Sequence, residues 1–166
     1  MSGSAARDDR WRSVFESEHA RLWRSVLAHT GDPEVASDAV AEAFAQAVRR
    51  GDEVRDPAAW LWRAVFRIAG GQLADGRRRE EPVEASPPAT DTLPDEVVAL
   101  LDALAGLGEA DRRVVVLSLV GGWSAAEVGA IVDASPGAVR VRLHRARRRL
   151  RAALTEGTCA GGHDER

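Results

Sequence analysis

Residues 124–154 read SAAEVGAIVDASPGAVRVRLHRARRRLRAAL, and this stretch predicts two helices joined by a short turn. Ser124 can cap the first helix while Glu127, three residues later, reaches back to the cap, which is the pattern of a capping box. The apolar periodicity then stops, and Ser135-Pro136 supply a second start, a capping serine followed by proline at the first helical position. Two helices separated by about three residues form a helix-turn-helix.

The second of these helices has an apolar side and an arginine-rich side. Its apolar positions recur every three or four residues, as in a stripe that faces a core: Val139, Leu143, Ala146, Leu150 and Leu154. At about 100° per residue, other positions project away from the stripe or flank it: Arg140, Val141, Arg142, His144, Arg145, Arg148 and Arg149. Residues 135–156 contain seven arginines and one acid, although the chain has a net charge of −3. This pattern suits the major groove of DNA; the alternative is a solvated basic face of an ordinary bundle helix.

Composition restricts the remaining possibilities. The 166 residues are 45% hydrophobic, which is enough for one domain or two small ones. Cys159 is the only cysteine, and it has only His163 near it as a second metal ligand, whereas a structural zinc site needs four. We therefore predict no metal and no cofactor. No apolar run approaches about 18 residues, and no signal sequence opens the chain, so we expect a cytoplasmic protein without membrane insertion.

Helix start and stop signals predict three helices before residue 80. The first runs from Trp11 to about His29. The second runs from Pro33 to about Arg50, with Asp32 as its cap and Gly51 as its stop. The third begins at Pro57, capped by Asp56, and ends at Gly76. Two further helices are predicted between the linker and the helix-turn-helix, over Asp95–Leu107 and Glu109–Val120. The run Val114–Leu117 has the composition of a strand, but its wholly helical neighbours favour a helix.

Residues 80–94, EEPVEASPPATDTLP, contain four prolines and four acids and predict an extended linker. The predicted fold is all-α, with two small helical domains joined by this acidic, proline-rich linker and a helix-turn-helix at the end of the second. The predicted boundaries are 11–79 for the first domain, 80–94 for the linker, 95–155 for the second domain and 156–166 for a flexible tail.

Three segments together resemble the extracytoplasmic-function (ECF) family of RNA polymerase sigma factors. Residues 93–154, which include LPDEVVALLDALAGLGEADRR and the helix-turn-helix, resemble the family's promoter-recognising carboxy-terminal domain. Residues 15–44, FESEHARLWRSVLAHTGDPEVASDAVAEAF, resemble its polymerase-binding segment, and residues 58–79, AAWLWRAVFRIAGGQLADGRRR, resemble its promoter-melting helix. The resemblance covers about residues 11–155 in the family's order. It implies an initiation factor, not an enzyme, whose partners are core RNA polymerase and promoter DNA, with an anti-sigma factor as a further candidate partner.

The resemblance also implies roles for particular residues. Where the family's polymerase-binding helix usually reads Asp-Leu-Val-Gln-Glu, residues 38–42 read Asp-Ala-Val-Ala-Glu. Contact with core polymerase is thereby assigned to Asp38, Val40, Glu42 and Phe44. Recognition of a minus-thirty-five element is assigned to Ser135, Arg140, Val141, Arg142, His144, Arg145, Arg148 and Arg149. Capture of unpaired minus-ten bases is assigned to the third helix and the loop before it, with Trp62, Arg63, Arg67 and Arg77 as the candidate contacts.

The chain departs from the family pattern at two places. Gly70-Gly71 stand near the position where the family's third helix usually carries Arg-Asn. In the recognition helix, where the family commonly reads Thr-Val-Lys-Ser-Arg, residues 138–142 read Ala-Val-Arg-Val-Arg, so two hydroxyls are lost. Val141 is then an exposed apolar residue among arginines, and a thymine methyl is the one apolar group that a base pair presents in the major groove.

Two other classes of function are weighed against this one. A helix-turn-helix regulator with an amino-terminal dimerisation or sensor domain would explain the rear half of the chain but not the resemblance of the front half. An enzyme has little support, because the chain contains no phosphate-binding glycine loop and no motif that pairs a nucleophile with a base.

Overall fold

The computed structural model describes residues 2–79 and 93–160, with side chains described for residues 9–75 and 93–155. The described residues contain helices and turns and no strand, which confirms the predicted all-α class. The chain divides into two compact units, with the boundary between Ser86 and Pro87, inside the predicted linker. Within the described ranges, no helix has the length and apolarity needed to cross a membrane.

The first unit consists of three helices that pack on one another: α1 (Ser2–Thr30), α2 (Pro33–Arg50) and α3 (Pro57–Arg79). The predicted caps are confirmed. The Asp32 carboxylate accepts hydrogen bonds from the amides of Glu34 and Val35, and the Asp56 carboxylate accepts one from the amide of Ala59. Gly51 ends α2 at a φ of 56°, a conformation that glycine adopts without strain.

Two helices of the first unit extend beyond their predicted ends. Helix α1 begins at Ser2 rather than Trp11, and α3 continues through Gly76 to Arg79. Residues 4–10 contain no glycine or proline, and a single glycine costs a helix only about 1 kcal/mol relative to alanine. Nothing in residues 4–10 therefore stops α1 before Trp11, and Gly76 alone does not end α3.

The second unit consists of α4 (Asp95–Ala105), α5 (Glu109–Val115), α6 (Ala125–Val132) and α7 (Pro136–Ala160). Helix α5 continues into a π-helical turn over Val116–Val120, closed by a hydrogen bond from the Gly121 amide to the Val116 carbonyl. The predicted helix over residues 109–120 is thus present, with a wider last turn. Helix α7 packs against α4, α5 and α6 and forms the centre of the unit.

The turn between α6 and α7 depends on a glycine that the sequence did not single out. The Ala134 amide donates to the Gly129 carbonyl at 2.9 Å, and this folds the turn back against α6. A β-carbon built on Gly129 would collide with the carbonyl oxygen of Ala134. Asp133, the residue that ends α6, adopts the left-handed conformation with a φ of 55°. The tight approach of the two helices therefore requires Gly129.

We expect Gly129→Ala to lower the free energy of unfolding by about 1–3 kcal/mol, the usual effect of overpacking, although alanine is the better helix former. Gly137→Ala is the matched control, because its β-carbon would meet only the Ser135 hydroxyl, at 3.9 Å. We expect that control to be neutral or stabilising by up to about 1 kcal/mol. Urea unfolding of the full chain measures both, and equal effects of the two substitutions would contradict the role of Gly129.

Candidate nucleic-acid interface and acidic helix edge

The helix-turn-helix is held by two side-chain caps. The Ser124 hydroxyl accepts a hydrogen bond from the Glu127 amide, and the Glu127 carboxylate accepts one from the Ser124 amide at 2.8 Å, which confirms the predicted capping box. The Ser124 hydroxyl, and after it the Ser124 amide, interact with the Glu127 carboxylate and hold the pKa of Glu127 below its ordinary value of 4.5. The Ser135 hydroxyl accepts from the Ala138 amide at 3.1 Å and starts α7.

The packing of α7 decides which of its side chains reach solvent. Val139, Ala146 and Leu150 are buried against the other helices, while Leu143 is half-buried and Leu154 is 38% exposed. The residues predicted to recognise duplex DNA are all exposed: Ser135, Arg140, Val141, Arg142, His144, Arg145, Arg148 and Arg149. Val141 is 50% exposed. The described part of α7 thus presents a continuous basic face that includes one apolar side chain.

One arginine of this face contacts an acid of another helix. The Arg149 guanidinium lies 3.5 Å from the carboxylate of Asp111 in α5. Arg142, Arg145 and Arg149 line a surface depression of about 380 Å³, and Glu109 and Asp111 also line it. Three cationic and two acidic residues therefore border the same depression.

Helix α2 presents an acidic edge to solvent. Asp38 is exposed and Glu42 is half-buried. The Glu42 carboxylate accepts hydrogen bonds from the Gln46 amide at 2.8 Å and from the Arg49 guanidinium at 3.0 Å. The bond from Gln46, and less strongly that from Arg49, lowers the pKa of Glu42 against a partial burial that raises it. Glu42 is therefore anionic at neutral pH and held in one orientation.

The other two residues assigned to polymerase contact lie beneath this edge. Val40 and Phe44 are buried, because the apolar side of α2 faces α1 and α3. The structure therefore corrects their direct role: they position the edge and do not form its surface. Phe44 packs edge-on against Phe15 of α1 at 5.0 Å, and Phe15 is 45% exposed. An exposed aromatic side chain thus lies next to the buried Phe44.

The two tryptophans of α3 have different environments. Trp62 is fully buried, its indole N–H donates to the Glu18 carboxylate at 2.9 Å, and the Arg21 guanidinium lies over its ring. Its predicted role as a base contact is corrected to a structural one. Trp60 is half-buried, with the Arg50 guanidinium over its ring at 5.7 Å.

Two of the three arginines assigned to the minus-ten strand have described side chains, and both are exposed. Arg63 and Arg67 are exposed on α3, so they remain available for phosphate. The backbone of Arg77 belongs to α3, but its side chain lies outside the described ones. Among the described residues, no group of three or more His, Cys, Asp or Glu could hold a metal ion; the side chain of Cys159 and the whole of His163 lie outside that range.

We expect Trp62→Ala to lower the free energy of unfolding by about 3–5 kcal/mol, as for other buried aromatics, and Trp60→Ala to cost clearly less. Trp60 is the matched control, because it is the same residue type two positions away on the same helix. Urea unfolding followed by circular dichroism compares the two variants. An equal or smaller loss of stability for Trp62→Ala than for Trp60→Ala would contradict the structural role of Trp62.

Most of the rear half of the chain matches a known protein family. The family described as "Sigma-70, region 4" matches residues 98–150, which run from α4 into α7. The ECF RNA polymerase sigma factor SigL of Mycobacterium tuberculosis is 35% identical, over 94% of this chain and 96% of SigL. The RNA polymerase sigma factor CarQ of Myxococcus xanthus is 38% identical over 55% of this chain and 59% of CarQ.

Solved structures agree with this placement. CnrH, in complex with the cytosolic domain of CnrY, matches with a TM-score of 0.67 and 25% identity over 90% of each chain. The sigma factor RpoE of Bartonella quintana, in complex with the anti-sigma factor NepR, has the same fold, with a TM-score of 0.65 and 22% identity over 89% of this chain. The similarity to SigL spans both units, including the acidic edge, α3 and the basic face. The chain therefore belongs to the ECF family of RNA polymerase sigma factors.

Proposed function

We propose that this ECF sigma factor binds core RNA polymerase through the acidic edge of α2, Asp38 and Glu42, and has no catalytic step of its own. It directs the polymerase to promoters by recognising a minus-thirty-five duplex with α7 and an unpaired minus-ten strand with α3 and the loop before it. The observation that carries the proposal is the exposed face of α7. Every residue predicted to contact the minus-thirty-five duplex is exposed there, while most of the apolar stripe of the same helix is buried.

The composition of the α7 face supports recognition of duplex DNA. Arginine donates two parallel hydrogen bonds to the O6 and N7 atoms of guanine, which is the commonest specific contact in the major groove. We assign this contact to Arg142 or Arg145, next to Val141, and phosphate contacts to Arg148 and Arg149. The Ser135 hydroxyl accepts from the Ala138 amide and keeps its own O–H for a phosphate oxygen.

The surface of α3 supports binding of an unpaired strand. Single-strand recognition needs aromatic rings on which bases stack, next to cations that attract phosphate. Trp60, Arg63 and Arg67 provide both, and Trp60 takes the place of Trp62 in this role because Trp62 is buried. A contact from Arg77 stays a prediction.

The acidic edge supports binding of a basic polymerase surface. Asp38 and Glu42 lie one turn apart, and the bonds from Gln46 and Arg49 fix the Glu42 carboxylate in advance of binding. The similarity to SigL includes the first unit, which the alternative reading as a helix-turn-helix regulator with a sensor domain does not explain.

An anti-sigma factor is a further partner under this proposal. Of the solved structures that share the fold, RpoE is bound to the anti-sigma factor NepR. Regulation of a sigma factor by a partner that covers its binding surfaces needs no additional site on this chain.

Reversing both acids of the edge, Asp38→Arg with Glu42→Arg, should abolish co-purification of the tagged protein with core polymerase. Asp38 is exposed and the Glu42 side chain is 45% exposed. Because exposed substitutions usually change stability by less than about 0.5 kcal/mol, the thermal midpoint should stay nearly constant. The control is Asp9→Arg with Glu16→Arg, which makes the same charge change at exposed positions of α1. Retained binding in the first variant, or equal loss in the control, would contradict the assignment and leave the edge as a solvated face.

Val141→Ser should relax selectivity at one base pair by about 1 kcal/mol, the low end for a base contact. Arg148→Ala should weaken all sequences alike and reduce the salt slope by about one unit. Val48→Ser is the matched control, because Val48 is 52% exposed in the first unit. The measurement is binding of reconstituted polymerase to single-base promoter variants. If Val141→Ser and Val48→Ser give the same base preferences, Val141 is an exposed valine without a base contact.

A further inference from the structure

Arg10 of α1 contacts the loop between α2 and α3, residues 51–56. The Nη2 nitrogen of Arg10 donates to the carbonyl oxygen of Val54 at 2.8 Å and to that of Arg55 at 3.2 Å. Arg10 and these carbonyls are 44 and 45 residues apart in sequence. The Arg10 guanidinium also lies over the Trp11 ring at 5.7 Å, which fixes it from the other side.

The remainder of the loop is anchored by its own residues. Gly51 begins a 3₁₀ turn, the Val54 amide donates to the Gly51 carbonyl, and the Val54 side chain is buried. Asp56 caps α3 at the far end. Asp52, Glu53 and Arg55 are left on the exposed side of the loop. Arg10 reaches the middle of this loop from α1 through a charged hydrogen bond.

The loop lies next to the aromatic and cationic groups of the proposed single-strand surface. Arg50, immediately before the loop, covers the ring of Trp60, which lies in the first turn of α3 after it. An unpaired base that stacks near Trp60 is therefore close in the chain to the polar groups of the loop. A loop recognises a base well only when its hydrogen-bonding groups are already held in place, because ordering them on binding reduces the affinity.

We propose that Arg10 is a positioning residue for recognition of the unpaired minus-ten strand. It holds the Val54 and Arg55 carbonyls, and with them the loop, in the conformation that meets the base. Its Nη2 nitrogen is directed at the protein backbone, and Arg10 is assigned no direct contact with phosphate. This inference rests on the proposed function of α3, and it adds Arg10 of α1 to the residues on which promoter opening depends.

The test uses polymerase reconstituted with the full chain and a promoter identified by mapping transcript start sites. One probe is a fork-junction DNA with a single-stranded minus-ten segment, a second has that segment scrambled, and a third is a duplex with only the minus-thirty-five element. Arg10→Gln is compared with Arg12→Gln, an exposed arginine of the same helix whose loss makes the same charge change.

We expect Arg10→Gln to weaken binding to the fork-junction probe roughly tenfold, the effect of losing one hydrogen bond to a charged group. Its salt slope, its affinity for core polymerase and its binding to the minus-thirty-five duplex should match those of Arg12→Gln. Equal binding of the two variants to the fork-junction probe overturns the inference. So does a salt slope smaller by about one unit for Arg10→Gln, because that indicates a direct phosphate contact.

The two proposals fail in different ways. If the wild-type polymerase does not distinguish the native from the scrambled minus-ten segment, the proposed role of α3 is wrong. If it does distinguish them and Arg10→Gln behaves as Arg12→Gln, only the role of Arg10 is wrong. Should Arg10→Gln reduce core binding through instability, Arg10→Lys keeps the charge, and a loss that is equal on the fork-junction and duplex probes then overturns the inference.

Discussion

Burial of one stripe of α7 is the constraint on which the DNA-binding surface depends. Val139, Ala146 and Leu150 lie within the second unit, and α7 contacts each of the other three helices there. Because these positions face inward, the helical repeat directs the positions between them toward solvent. A buried arginine would need a partner for its charge, so the sequence can place arginine at these positions only if they are exposed. The basic face is thus a consequence of the packing of α7.

The same sidedness organises the first unit, with smaller side chains. Helix α2 buries Ala36, Ala39, Ala43 and Ala47, and these short side chains let it lie close to both α1 and α3. Close packing on that side leaves Asp38 and Glu42 on the other. Helix α3 is held to α1 by the Trp62 indole, which combines a large apolar contact with a hydrogen bond to Glu18. Displacement of α1 would therefore displace the surface of α3.

The features that could be predicted from the sequence are those set by residues close together in the chain. The caps at Asp32, Asp56 and Ser124 act over two or three residues, and all three form as predicted. The direction of the α7 face follows from periodicity alone. The choice between Trp60 and Trp62 does not, because tryptophans two positions apart on a helix point in different directions and both fit an aromatic-rich stripe. That choice depends on Glu18, 44 residues away, which offers the buried indole an acceptor.

The contact between Arg149 and Asp111 is a tertiary contact that can be broken at little cost to the stability of the fold. The two atoms are 3.5 Å apart, and the side chains are 65% and 26% exposed. A partly exposed pair of this kind contributes about 0–1 kcal/mol to stability, and salt weakens it further by screening. Under the proposed function, the exchange of Asp111 for a DNA phosphate at Arg149 therefore costs the fold little. Glu109 and Asp111 also lie beside Arg142 and Arg145. Acids at this place offset part of the positive charge of α7 in the absence of DNA, and this reduces the repulsion among its neighbouring arginines.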